Sequence, residues 1–135
     1  MRLVVDTNVL VAGILSASGP PGWIVEALLS GEIEPVLDVG IRAEYEDVLR
    51  RPELSLDSAR VAALLDVIDA FGVEAVVPPW PEPLPDPDDA PFLAIAAWVG
   101  CPLVTGNVRH FPAKARGGVV VLTPRQLVDD FARRP

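Results

Sequence analysis

The chain has 135 residues, half of them apolar, and its 19 acidic against 11 basic side chains give a formal charge of −8. That length fits one domain, spanning residues 1–135, with a core that needs no disulfide staples. The acidic balance excludes a broadly basic nucleic-acid-binding face, because it slows encounter with a polyanion. One cysteine, Cys101, and one histidine, His110, exclude an internal disulfide and an ordinary zinc cluster, so any metal is expected to be held mainly by oxygen.

Met1-Arg2 runs straight into a Val- and Leu-rich stretch, residues 3–5, which reads as a buried strand. No charged leader with an apolar signal core precedes it, and the expectation is a protein that stays in the cytoplasm. A helix is expected from Val9. Trp23, Ala27 and Leu28 then recur at helical spacing, and residues 35–37 read as a second strand. Ile41, Tyr45, Val48 and Leu49 mark a helix that stops before Arg51-Pro52. Val61, Leu64, Leu65 and Ile68 mark another, ending near Gly72. Residues 74–77 read as a third strand.

The segment Pro78-Pro79-Trp80-Pro81-Glu82-Pro83-Leu84-Pro85-Asp86-Pro87-Asp88 lacks too many amide donors to continue helix or sheet, and reads as a stiff connector. Helix 92–99, strand 103–105, strand 119–122 and helix 124–131 complete the chain. The nearly uncharged stretch 92–104 is broken by Gly100 and Pro102 and is shorter than the roughly 18 apolar residues of a membrane span. No span is expected. Strands alternating with helices, with nearly continuous apolar runs in the strands, predict a three-layer α/β/α sandwich around a mainly parallel five-stranded sheet.

Open parallel sheets place ligands at the C-terminal edge of their strands, and Asp6 sits there, directly after Val4-Val5. Asp6, Thr7 or Asn8 also suits the N-cap of the following helix, and the two roles are compatible. Glu44 lies three residues after Ile41 and four before Val48, which sets its carboxylate on the core-facing side of its helix, whereas Glu46 and Asp47 face outward. A carboxylate there is costly unless it is bound to metal or paired, for example with Arg42 or Arg50. Asp86, Asp88 and Asp89 end the proline segment. Asp89 falls on the stripe of Phe92, Ile95, Ala96 and Val99, although Asp88 or Asp89 equally suits a helix N-cap. Thr105-Gly106-Asn107 closes the fourth strand at the same edge, where it fits either a polar turn or a holder of phosphate or water. His110, alone, reads as structural or solvated, with a catalytic role as the alternative. Arg50, Arg51, Arg109, Lys114, Arg116, Arg133 and Arg134 remain for a small basic rim.

Four ordered strings carry a resemblance that runs almost end to end. They are Val4-Val5-Asp6-Thr7-Asn8-Val9-Leu10; Glu44-Tyr45 ahead of Val48-Leu49-Arg50-Arg51-Pro52; Asp86-Pro87-Asp88-Asp89 ahead of Phe92-Leu93-Ala94; and Val104-Thr105-Gly106-Asn107. Together they resemble the PIN-domain family, and within it the VapC-like toxins of bacterial toxin–antitoxin pairs, as does the terminal Val121-Leu122-Thr123-Pro124-Arg125-Gln126-Leu127. The resemblance implies a ribonuclease in which Asp6, Glu44 and Asp89 surround one acidic pocket holding Mg²⁺ or Mn²⁺. It also implies an antitoxin partner and a homodimer. Asn107 departs from the family pattern, in which many members carry a fourth acid, and this weakens the expected second-metal site; Asp86 or Asp88 is the possible compensation. Thr7, Asn8, Thr105 and Asn107 are expected to orient ligands or the phosphate. The alternative is a catalytically weak or inactive protein-binding module of the same fold. A receiver or phosphatase pattern is incomplete, because a second Asp near Asp6 is missing and Lys114 is the only lysine. No Gly-rich phosphate loop follows the first strand.

Overall fold

The computed structural model describes residues 1–133; Arg134, counted above in the basic rim, lies outside them. The chain runs β1 (Arg2–Val5), α1 (Thr7–Leu15), α2 (Pro20–Ser30), β2 (Glu34–Leu37), α3 (Val39–Leu49), α4 (Ser58–Phe71) and β3 (Val73–Glu74). After the proline segment come α5 (Ala90–Val99), β4 (Leu103–Val104), β5 (Val121–Leu122) and α6 (Pro124–Ala132). All pairings in the sheet are parallel and the strand order is β3-β2-β1-β4-β5. This is the expected α/β/α sandwich.

The apolar runs explain the layering. Leu3, Val4 and Val5 are essentially inaccessible, as are Val36 and Leu37 of β2 and Leu103 and Val104 of β4, so both sheet faces must be covered. Helix α5 packs on β1 and β2 with Phe92, Leu93, Ile95 and Ala96 inward, while α1 packs on α2 and α3. Helix starts are written locally: Asp38 accepts from the Ile41 N–H at 2.7 Å, Asp57 from the Ala59 N–H at 3.0 Å, and Thr123 with Gln126 forms a reciprocal capping box on α6.

Several boundaries differ from expectation. The third strand spans Val73–Glu74 rather than 74–77. Pairing reaches only one residue further, through the Ala75 N–H to Leu37 O (3.1 Å), because its partner β2 ends at Leu37, where Asp38 caps α3. The fifth strand is likewise shortened at its start, after Gly117 and Gly118, both with positive φ. Helix α1 begins at Thr7, two residues before Val9. The proline segment is a strap whose Trp80 and Leu84 pack against the core; Trp80 Nε1 donates to Ala115 O (2.9 Å) and the indole covers Gly117. No single described helix is long and apolar enough to cross a membrane.

Strand order reverses at β1: the chain steps from β1 to β2 and β3 on one side, then to β4 and β5 on the other. The C-terminal ends of β1 and β4 therefore flank the crevice where parallel sheets of this kind bind ligands. One close approach supports this end of the molecule. A Cβ on Gly13 would lie 2.4 Å from Val25 Cγ2 and 2.5 Å from Pro21 O, so α1 and α2 touch through glycine. Gly13→Ala is expected to lower stability by about 1–3 kcal/mol, read as a lower urea midpoint at unchanged slope.

Candidate functional site

Asp6 is the first residue after β1. Its N–H stays in the sheet by donating to Val104 O (2.9 Å), and its carboxyl is almost fully buried, 6 % exposed. The capping role does not hold: Asp6 occupies the N-cap position of α1, but its side chain makes no cap bond. Instead Asp6 Oδ2 accepts from Thr105 Oγ1 (2.8 Å), at the end of β4, and from Asn8 Nδ2 (3.3 Å). Asn8 Oδ1 in turn accepts from the Gly106 N–H (3.0 Å), and Thr105 Oγ1 from the Asn107 N–H (3.0 Å). The Thr105–Asn107 turn is thus stitched to the start of α1 across the crevice.

Glu44 lies where its helical phase predicts, half-buried on α3. Its carboxylate accepts from the hydroxyl of Thr7, which is itself buried. The alternative of an ion pair fails among the described residues, because the arginines of α3 are engaged elsewhere. Arg42 bonds Asp69 (2.6 Å) and Glu46 (3.0 Å), Arg50 bonds Glu46, and Arg51 bonds Asp47 (2.9 Å). Two members of the expected basic rim, Arg50 and Arg51, are spent in these exposed pairs, and Arg116 directs its Nε to Phe111 O (2.7 Å). Arg109 and Lys114 are exposed and take part in no ion pair among the described residues. Next to Glu44 in the chain, the fully buried Tyr45 hydroxyl donates to Val5 O, locking α3 to the end of β1.

Asp89 ends the short turn Pro87–Asp89 that leads into α5. It too stands at an N-cap position without a side-chain cap bond; the capping in this turn is done by Asp86 Oδ1, which accepts from the Asp88 N–H (3.0 Å). Asp88 itself is exposed. Asp89 Oδ2 bonds His110 Nδ1 at 3.0 Å, and His110 Nε2 meets Asn107 Nδ2 at 2.9 Å. His110 is thereby drawn into the site, which its solitary place in the sequence did not indicate. The one available signal is the Asn107-to-His110 spacing of three residues, a single helical turn.

Electrostatics join these groups. Burial, and then the neighbouring Glu44, raise Asp6 above the ordinary carboxyl range, against the opposing pull of the Thr105 bond. Burial, with Asp6 and Asp86 close by, pushes Asp89 up to about 6. Burial also pushes the Tyr45 hydroxyl up, reinforced by Asp6 and Glu44, so it remains a donor. Carboxyls gathered at a cost in burial and mutual repulsion are a fitting seat for a divalent cation, whose charge would relieve both, and their hard oxygen donors suit Mg²⁺ or Mn²⁺. Within the described residues, the one group whose ligand atoms all lie within 4.8 Å of one another is Asp86, Asp89 and His110. Of the expected trio only Asp89 is in it. Glu44 is drawn onto Thr7, and Asp6 onto Thr105 and Asn8.

A parallel sheet whose reversal crevice gathers carboxyls rather than a glycine-rich phosphate loop defines an α/β domain with an acidic group at its sheet edge that could hold a metal ion. The chain belongs to the PIN-domain family, whose model matches residues 2–109. PIN domains are generally nucleases that use a divalent metal, and the acidic group found here agrees with that chemistry. Comparison with curated proteins returns no match.

The raised carboxyls make a signed prediction. Asp89 takes up its proton near pH 6 when folded but near 3.8 when unfolded, so the folded state binds the extra proton between those values. Stability in chelator is therefore expected to rise as pH falls from 7.5 to 5, and Asp89→Asn to flatten that rise. Thermal unfolding at stepped pH checks it.

Proposed function

We propose that this protein is a Mg²⁺- or Mn²⁺-dependent endoribonuclease, with Asp6, Glu44 and Asp89 as the carboxylates that hold the cation and take part in phosphodiester hydrolysis. The observation that carries the reading is Asp6: a buried carboxyl at the sheet's reversal crevice, electrostatically coupled to Glu44 and Asp89 from two other elements. A cation held by these residues would supply Lewis-acid chemistry, activating water and offsetting charge that builds on the phosphate. The chain's own residues prepare that chemistry. Thr105 and Asn8 fix the Asp6 carboxyl, Thr7 fixes Glu44, and Thr105, Gly106 and Asn107 form the edge along which the scissile phosphate would lie. Arg109 and Lys114, on the segment that follows this turn, would meet flanking phosphates, a local attraction within an otherwise acidic surface. Asp86 and Asn107 are the remaining polar groups that would complete a second cation position in place of a fourth acid.

The reading extends to the toxin of a toxin–antitoxin pair acting in the cytoplasm, as a homodimer, against an antitoxin that presents a basic residue to the acidic cleft. Its support is the resemblance within the family and the negative charge.

With Mn²⁺ and structured RNA, Asp6→Asn is expected to lose activity by about 100-fold or more, and Glu44→Gln and Asp89→Asn by a similar order. Equal RNA loss in the wild type and Asp6→Asn would trace cleavage to a contaminant and leave the inactive binding module as the better account. For the toxin assignment, expression in a bacterial host should arrest growth, and co-expression of the neighbouring upstream reading frame should relieve it. Failure of that protein to bind or to relieve arrest would remove the assignment while leaving the nuclease untouched.

A further inference from the structure

Between Asp6 and Asp89 runs an unbroken line of hydrogen bonds, all of it contributed by one turn of the chain. Thr105 Oγ1 donates to Asp6 Oδ2 (2.8 Å) and accepts from the Asn107 N–H (3.0 Å). The Asn107 side chain meets His110 Nε2 (2.9 Å), and His110 Nδ1 meets Asp89 Oδ2 (3.0 Å). Asn107 therefore anchors the line twice, by its backbone toward Asp6 and by its side chain toward Asp89.

We propose that Asn107 and His110 are positioning residues for Asp89, the Asn107 amide N–H donating to His110 Nε2 and so fixing the imidazole as the Nδ1–H tautomer that donates to Asp89. The role rests on the reading of Asp89 as a cation ligand. A neutral imidazole has one donor and one acceptor nitrogen, so an N–H offered to Nε2 obliges the proton to sit on Nδ1. That proton then faces Asp89 Oδ2, orienting the carboxylate without adding a compensating positive charge that would repel a cation. Both ring nitrogens are committed in this arrangement, which makes His110 a holder of Asp89 rather than a ligand. It also gives an amide at position 107 a use that an acid lacks, since a carboxylate there would accept from Nε2 and draw the proton to the wrong side of the ring. The Thr105-to-His110 turn thus sets the separation of the two carboxylates as one unit.

His110 is the only histidine in the sequence, so its ring nitrogens give a single unambiguous pair of ¹⁵N signals in the untagged protein. At pH 8 in chelator, Nδ1 is expected to be protonated and Nε2 bare; the reverse tautomer overturns the proposal without need of any variant. Mn²⁺ titration by calorimetry then compares three variants. His110→Ala is expected to weaken binding about tenfold, in the range typical for groups that orient metal ligands, whereas His110→Asn, whose amide nitrogen replaces Nδ1, should restore affinity to within about threefold of wild type. Equal loss in both would make the imidazole itself the ligand and overturn the positioning role. Wild-type affinity in His110→Ala, with binding lost in Asp89→Asn, overturns the role but keeps Asp89 as ligand; wild-type affinity in Asp89→Asn overturns the underlying reading itself.

Discussion

The buried bond from Thr105 to Asp6 is the constraint on which the rest of the cleft depends. It closes the gap between β1 and β4 at the point where strand order reverses, and it joins residues 99 positions apart. Burying a carboxyl is expensive unless its oxygens are met, and Thr105 meets one of them with a hydroxyl that is itself fully enclosed. The same hydroxyl accepts from Asn107, which ties the following turn to the crevice. Removing it would leave that oxygen with only the longer bond from Asn8 Nδ2 and would free the turn as well.

Around that link the molecule separates two uses of charge. The outer side of α3 carries a ladder in which Arg42, Arg50 and Arg51 neutralise Glu46, Asp47 and Asp69, in exposed pairs worth little individually. Its inner side presents Glu44 with a hydroxyl partner and no cation among the described residues. The ladder matters less for stability than for keeping guanidinium groups occupied on the outside. A free arginine reaching Glu44 would cancel the field that the cleft assembles.

Much of this was readable from the residues themselves. Short continuous apolar runs and period-3.6 patterns identify all five strands and the helices between them, and the strand-end rule singles out Asp6. The interval from Ile41 to Val48 sets Glu44 inward, as found. What failed is instructive in the same terms. Asp6 and Asp89 stand at N-cap positions yet do not cap, because Thr105 and His110 offer stronger partners that only the folded chain brings near. The sequence does not tie His110 to the site, because its partner Asp89 is 21 residues away. The third strand is shorter than its apolar run because its partner β2 ends at Leu37, where Asp38 turns the chain into α3.

The long reach of the Thr105 link has a temporal side. Parallel pairing between β1 and β4 closes a very large loop, the sort of contact that forms late and slowly because its entropy cost precedes its reward. During synthesis, β1 and α3 leave the ribosome long before β4 exists, so Asp6 has neither its hydroxyl nor its neighbouring turn. An interrupted chain that stops between residues 89 and 105 carries all three carboxylates and most of the hydrophobic core, but neither Thr105 nor the turn that ties Asp6 to Asp89. The order in which the residues are made thus withholds the site until the protein is nearly whole.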